Sequence, residues 1–323
     1  MKNLNKNPIN LGHNISFFDV FDLGLENRTG TYVIHDEKLT IVETSASPSI
    51  PYLLNGLKKL KINPEDIQYI IVTHIHLDHA GGAGLLLKDC PNAKVVVHPR
   101  GHRHLIDPSR LIAGARAVYG EDFDRLYDPI YPIPEDRLIV KENGETLELE
   151  KRTLTFYDSP GHAKHHFSIH DSLSNGIFTG DTIGVYYQDI EEFDFFLPTT
   201  SPNQFDPDEM LNSLKMIENL NVSQIYFGHF GMYNNPEHVY AEIRKWLPVY
   251  VEAGKAVFTE NKSKTIEELT PLISEKLFGQ IKAYLDEMNI PNNHNVYTIL
   301  KIDTDICAMG LADYFIRQEK QKG

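Results

Sequence analysis

Cysteine is scarce: the chain of 323 residues holds two, Cys90 and Cys307. Two thiols offer no disulfide framework, so a reducing compartment with both thiols reduced and at least partly buried is the simpler expectation. No apolar run approaches the ~18 residues that a membrane-crossing helix needs. Residues 1–14 are polar and lack an apolar h-region, so no secretory signal is read there and a cytoplasmic location is expected. Repeats of solenoid type and low-complexity linkers are missing as well. Positive charge is also in short supply, 31 Lys and Arg against 45 Asp and Glu, a formal net charge of -14. Binding to a phosphate backbone needs a basic face, so nucleic acid is disfavoured as a partner, although a local basic pocket stays open. The remaining composition, 41% apolar and 24% charged, is that of a globular chain with a sizeable core.

Histidine is plentiful and unevenly spread. His74, His76, Asp78 and His79 fall within six positions, in the run Thr73-His74-Ile75-His76-Leu77-Asp78-His79-Ala80-Gly81-Gly82. The run follows Tyr69-Ile70-Ile71-Val72, which reads as a buried strand, and precedes Leu85-Leu86-Leu87, which reads as the start of a short helix. A strand-to-helix corner is where open α/β sheets place their sites. Imidazole with carboxylate suits zinc, iron or manganese, and no cysteine lies near enough for a structural zinc knuckle.

Along the chain, Ile15 to Phe21 reads as a strand, and Thr31 to His35 with Leu39 to Glu43 as a hairpin. Leu53, Leu54, Leu57 and Leu60 recur at helical spacing, giving a helix from about Ser49 to Leu60. Lys94 to His98 is a further strand, Leu111 to Tyr119 a helix, and residues 128–136, with three prolines, an extended connection. The stretch from Pro99 to His104, crowded with histidine and arginine, is assigned no element. Strands then follow at Gly144 to Leu149, Arg152 to Tyr157, Phe167 to His170, Gly176 to Thr179 and Gln224 to Phe227, with a helix at Asp208 to Asn219. Their ends deliver His162, Asp181 and His229, each beside glycine, which permits tight turns and close backbone approach. From Pro236 onward the pattern is helical, with Pro248 expected to kink or break the first segment. The apolar stripes of this region are expected to pack on the core and on each other.

Thr73-His74-Ile75-His76-Leu77-Asp78-His79, then Pro160-Gly161-His162, Thr179-Gly180-Asp181 and Gly228-His229, resemble in order and growing gaps the metallo-β-lactamase superfamily, over roughly residues 15–235. The resemblance implies an α/β chain folded as an αββα sandwich, with a two-metal site on one edge. The expected layout is a catalytic domain at 1–235 and a C-terminal helical extension at 236–323 packed on it. Within the superfamily the chain resembles the glyoxalase II and acyl-homoserine lactone lactonase branches, Asp181 standing where they carry a bridging aspartate. Class B lactamases have cysteine there, and flavodiiron proteins have glutamate where His76 stands. One departure concerns Asp-Thr-Gly, which many members carry after the early hairpin. Here the chain reads Glu43-Thr44-Ser45, and Glu43 is expected to support the ligand loop with one extra methylene.

By the same resemblance, His74, His76 and His162 would hold one metal, Asp78, His79 and His229 the other, and Asp181 would bridge them. The implied cofactors are two divalent ions, zinc first, with iron or manganese as alternatives. Two adjacent cations lower the pKa of a shared water, and Asp78 or Asp181 would accept or relay a proton. The expected activity is hydrolysis of a small ester, lactone or thioester. The alternatives are a mononuclear iron persulfide dioxygenase of the same fold and a metal-stabilised binding protein without catalysis. The expected partner is a small-molecule substrate, with no nucleic acid and no membrane, and with room for a homodimer.

Tyr186 and Tyr187 follow Asp181, two positions further on than the substrate-contacting tyrosine of the lactonase branch, and are candidates for that role or for packing. His98, His102 and His104, with Arg100, Arg103 and Arg110, could bind an anionic group, His104 being the candidate contact. His165 and His166 are expected to support the ligands from behind. Phe193, Phe195, Phe196 and Phe205 read as packing, with an apolar wall for an acyl chain as the alternative.

Overall fold

The structure, a computed structural model, describes residues 6–188, 190 and 193–322. Of the polar lead-in at 1–14, residues 1–5 lie outside the described set. The chain divides into two compact units. The first comprises Met1–Asp158, His165–Gly180 and Val222–Pro236, and the second Ser159–Lys164, Asp181–Asn221 and Glu237–Gly323.

The first unit is built on two sheets. One runs in the order β1 (Ile9–Asn10), β2 (Ile15–Asp19), β3 (Gly30–Ile34), β4 (Thr40–Val42), β5 (Tyr69–Ile71), β6 (Lys94–Val97), β7 (Leu138–Val140). Strands β1 to β4 are antiparallel neighbours, and β4 to β7 are parallel. The parallel half is where the sequence shows unbroken apolar runs, as strands buried on both faces require. The other sheet runs β8 (Thr146–Glu148), β9 (Thr153–Asp158), β10 (Phe167–Asp171), β11 (Gly176–Gly180), β14 (Gln224–Phe227), β15 (Gly231–Tyr233). Only β11 and β14 pair in parallel.

The sheets share one core. Ile15, Phe17, Tyr32, Val42, Ile71 and Val96 of the first sheet pack with Leu154, Phe156, Phe167, Ile169, Phe178 and Tyr226 of the second. The first sheet's other face buries Val33, Ile41, Ile70 and Val95. It does so against Leu53 and Leu57 of α1 (Ile50–Lys59), Leu86 of α3 (Ala83–Leu86) and Leu105 of α4 (Pro99–Ile106). Between α1 and α3 lies the single turn α2 (Leu77–Ala80). Helices α5 (Ser109–Tyr119) and α6 (Phe123–Tyr127) follow α4 and close a smaller cluster on Leu77.

The α4 helix is absent from the sequence reading because its buried stripe is only Gly101 and Leu105, among charged neighbours. Its start is fixed instead by a cap: His98 Nδ1 accepts the Arg100 amide at 3.1 Å, and Pro99 occupies the first turn. Glycine is required at 101, where a Cβ would stand 2.7 Å from the Ile75 side chain.

The second unit contains the ribbon β12 (Val185–Tyr186) with β13 (Phe196–Leu197), and helices α7 (Pro207–Asn219), α8 (Pro236–Glu260), α9 (Ile266–Glu287) and α10 (Val296–Lys322). Asp206 caps α7, accepting the amides of Asp208 and Glu209 at 3.0 and 3.1 Å, and Thr265 with Glu268 forms a capping box on α9. Of the apolar positions spaced for one face in this segment, Leu269, Ile273, Leu277, Ile281 and Leu285 are buried, while Leu272 and Met288 are exposed. Pro248 does not break α8, which runs through it as one helix. Proline removes the amide that would bond the Arg244 carbonyl. Pro248 and Arg244 are both exposed, and Trp246, Leu247 and Tyr250 are buried across the same turn, so packing holds the helix together. Phe195, Phe196 and Phe205 are fully buried, Phe195 stacking on Tyr284 and meeting Trp246 edge-on, which is packing.

Candidate metal centre

The loop leaves β5 after Ile71 and turns into α2 at Leu77, which places His74, His76, Asp78 and His79 at one end of the sheet. Glu43, one residue past β4, organises this loop. Its backbone is left-handed, at φ 69°. Its Oε1 accepts the Thr73 amide at 2.7 Å, and its Oε2 accepts the Nδ1 proton of His79. The substitution of glutamate for aspartate therefore preserves the support that the sequence reading expects. Thr44 adds to it, donating its amide and hydroxyl to the His79 carbonyl at 3.0 and 2.9 Å.

His229 follows β14 and is buried. Its Nδ1 donates to the Arg28 carbonyl at 2.9 Å and lies 2.9 Å from the Thr29 hydroxyl. Both His79 and His229 thus spend their Nδ1 protons on oxygens, which leaves the Nε2 atom of each ring facing the site. Those two Nε2 atoms face each other at 3.2 Å, with Asp78 Oδ2 at 3.3 Å from one and 3.8 Å from the other. Three donor atoms so converged suit a cation among them. A tetrahedral zinc with bonds of ~2.0–2.1 Å sets its ligand atoms about 3.3 Å apart, close to two of these separations, the third, 3.8 Å, being longer. His74 Nε2 and His76 Nδ1 converge in the same unit at 3.0 Å, and Thr73 Oγ1 meets His74 Nδ1 at 3.1 Å. His166 stacks on the His74 ring and His165 stands edge-on to His76, so both lie against the candidate ligand rings.

In the second unit, His162 Nε2 lies 3.4 Å from Asp181 Oδ2, and both residues are buried. The Thr199 carbonyl is 3.4 Å from His162 Nδ1, and Ser201 Oγ is 3.3 Å from its Nε2. Glycine is needed at 161, at φ 124°, where a Cβ would meet the Met210 backbone at 2.3 Å.

The candidate substrate contacts each have partners within their own unit. Tyr187 is buried with its hydroxyl donating to Asp303 at 2.7 Å, and Tyr186, partly exposed, donates to Asp194 at 2.6 Å. His104 is half-buried on α4, where Arg103 Nε lies 3.4 Å from it; burial, then the charges of Arg103 and Arg110, hold its pKa below the usual value. His98 is committed elsewhere, its Nε2 lying 3.2 Å from Asp158.

Sequence reading missed Asp22. It is buried, pairs with Arg28 Nε at 3.2 Å, and accepts the Thr29 and Ser45 hydroxyls at 3.4 and 3.5 Å. Burial pushes its carboxyl upward, opposed by Arg28. Tyr119 and Tyr127 were also unmarked. Burial raises both phenols, and the charge of Asp78 adds to the rise.

These sheets and this ligand order define a metallo-β-lactamase fold. The model of the metallo-beta-lactamase superfamily matches residues 25–229, and the chain belongs to that superfamily. The chain is 31% identical over 206 residues to the metallo-beta-lactamase fold-containing protein ST1585 of Sulfurisphaera tokodaii, covering 62% of this chain and 72% of that one. It is 30% identical over 128 residues to the rubredoxin-oxygen oxidoreductase of Megalodesulfovibrio gigas, covering 40% of this chain and about a quarter, 26%, of that one. Among solved structures, the metallo-beta-lactamase family protein TTHA1429 from Thermus thermophilus superposes with a TM-score of 0.66 at 19% identity, covering 96% of this chain and 95% of that one. The fold is therefore the metallo-β-lactamase fold with mixed sheets and additional C-terminal helices. Among the described residues, no helix is long and apolar enough to cross a membrane.

Proposed function

We propose that the chain is a dinuclear metal-dependent hydrolase of a small ester, lactone or thioester, of the glyoxalase II and lactonase kind. The observation that carries this reading is the convergence of His79 Nε2, His229 Nε2 and Asp78 Oδ2, with both imidazole tautomers fixed by the oxygens behind them. In this reading Asp78, His79 and His229 hold one cation, His74, His76 and His162 the other, and Asp181 bridges. Zinc is the first choice, since nitrogen and carboxylate donors at these separations suit it. When bound, the metals would make hydroxide available near neutral pH and polarise the substrate's carbonyl oxygen, leaving its carbon open to attack. The protein's share is to fix the ligands, to set the imidazole tautomers through the Glu43 carboxylate and the Arg28 carbonyl, and to take a proton on a carboxylate oxygen of Asp78 or Asp181. The two cysteines are free and buried, which suits a reducing, cytoplasmic setting.

The match to an oxidoreductase keeps redox chemistry as the second reading, in the form of a mononuclear iron persulfide dioxygenase. It is favoured by the first unit's assembling a three-ligand set by itself. His76, where flavodiiron proteins carry glutamate, supports the hydrolase instead. The test is elemental analysis of the native protein, followed by turnover on lactone, thioester and phosphodiester panels and oxygen consumption with glutathione persulfide. Two zincs per chain with turnover on one hydrolytic panel is expected. A single iron with oxygen uptake replaces the first reading by the second, and metal-loaded protein silent on every panel overturns both.

A further inference from the structure

We propose that Asp22 is a positioning residue for His229, and that the carboxylates behind His79 and His229 make the Asp78–His79–His229 position the tighter of the two, first to fill and last to empty. The inference rests on the metal-centre reading above and adds to it an order of affinity and the residues that set it.

The chain of contacts is continuous and buried. His229 Nδ1 donates to the Arg28 carbonyl, 2.9 Å away, with the Thr29 hydroxyl oxygen equally near. The Thr29 hydroxyl donates to Asp22 Oδ2 at 3.4 Å, and the Arg28 side chain pairs with the same oxygen at 3.2 Å. Asp22, Arg28 and Thr29 are 1, 7 and 0% exposed, so water cannot stand in for any of them. Arg28 therefore has two duties. Its guanidinium is held by Asp22, and that grip fixes the backbone carbonyl that orients His229. Asp22 also accepts Ser45 Oγ at 3.5 Å, two residues from Glu43, so the supports of His79 and His229 meet at Ser45.

The two cation positions differ in what stands behind their histidines. His79 donates directly to a carboxylate, and His229 donates to a carbonyl and hydroxyl that are both tied to one. His74 meets the neutral Thr73 hydroxyl. Negative charge behind an imidazole N–H strengthens the donor on the far side of the ring, and loss of such a partner typically costs 10–100-fold in metal affinity. The better-backed pair also has its charged ligand, Asp78, within the same unit.

Zinc titration of the full-length apoprotein, followed by competition with a chromophoric chelator and by the cobalt(II) absorption spectrum, tests this. Wild type should bind in two phases. His229→Ala should abolish the tight phase and His76→Ala the weak one. Asp22→Asn should weaken the tight phase by about 10–100-fold and leave the weak phase in place. Thr29→Val should do the same, and Thr29→Ser, which restores the hydroxyl, should return the affinity and the cobalt spectrum; this pair carries the test if Asp22→Asn does not fold. A tight phase that survives His229→Ala, or that is unmoved in both Asp22→Asn and Thr29→Val, overturns the inference while leaving the metal centre intact. Wild-type protein that binds no zinc or cobalt overturns the metal-centre reading itself, and this inference with it.

Discussion

The Nε2 atoms of His79 and His229, 150 positions apart in sequence, face each other at 3.2 Å, and the opposite nitrogen of each ring is tied to an oxygen. Four expectations test how that arrangement, and the fold beneath it, are held.

Glu43→Gln removes the acceptor of the His79 Nδ1 proton, because one of the two amide positions becomes a donor. The Thr73 amide can still be satisfied, but His79 is left to face an N–H or to change tautomer. Metal affinity should fall about 10–100-fold with little change in the apoprotein's melting temperature. Unchanged affinity in a chelator competition would mean that the carboxylate only shapes the loop.

Gly228→Ala should empty the site by steric means. A Cβ there would stand 2.7 Å from His79 Cε1, and His79 has nowhere to go while Glu43 holds it. The overpacking should cost about 1–3 kcal/mol in denaturant unfolding and reduce metal content to well below that of wild type. Gly279→Ala is the control: nothing lies within 4 Å of its Cβ, and inside α9 it should stabilise by roughly 0.5–1 kcal/mol. Full metal occupancy in Gly228→Ala would contradict the expectation.

Arg152→Met should be among the most damaging changes far from the ligands. The arginine lies between Asp36 at 3.4 Å and Asp171 at 2.8 Å, all three side chains 0% exposed. Removing it leaves two carboxylates buried without their cation, at about 3–5 kcal/mol. Adding Asp36→Asn and Asp171→Asn should recover part of the loss. Urea unfolding with unchanged slope is the measurement, and a single-variant loss below about 1 kcal/mol, roughly the value of an exposed pair, would refute it.

Stability should decline as pH falls below neutrality, with His98 contributing. Burial, the largest influence, holds its imidazole below the ordinary 6.5, although Asp158 pulls the other way. The unfolded chain therefore takes up this proton at higher pH than the folded one does. The stability gained by keeping His98 neutral is full above 6.5 and is lost as pH falls from there through the folded value. His35, lowered by burial and by Arg152, acts in the same direction. His98→Asn keeps an acceptor for the Arg100 amide and removes the titration. Melting temperatures between about pH 7 and 5.5 should fall less steeply in that variant, and equal slopes would remove His98 from the account.

Much of this architecture could be read from local pattern. Ile70-Ile71-Val72 announced a buried strand, and the four ligand-type residues after it needed no tertiary knowledge to be singled out. Glu43 could be read because it stands in a recognisable place. Asp22 and Thr29 could not, since their meaning comes from His229, some two hundred positions away, and a polar loop looks alike whether buried or wet. The α4 helix was hidden for a related reason: its buried side is a glycine chosen for fit against Ile75, and hydrophobic periodicity does not register a glycine. Strand β15 escaped because it has three residues and its partners lie in β14. Pro248 misled because the rule about helix interiors assumes that the orphaned carbonyl is costly, and here it lies on a wet face.

Tyr32, on β3, donates its hydroxyl toward two carbonyls, those of Phe227 and Gly231, at 2.6 and 2.7 Å. These are the two shoulders of the turn that carries His229. One phenol from the first tenth of the chain is therefore the cradle for the turn that carries His229. During synthesis the mount exists long before the part it receives, and a nascent chain must emerge past Gly231 before that turn can be seated.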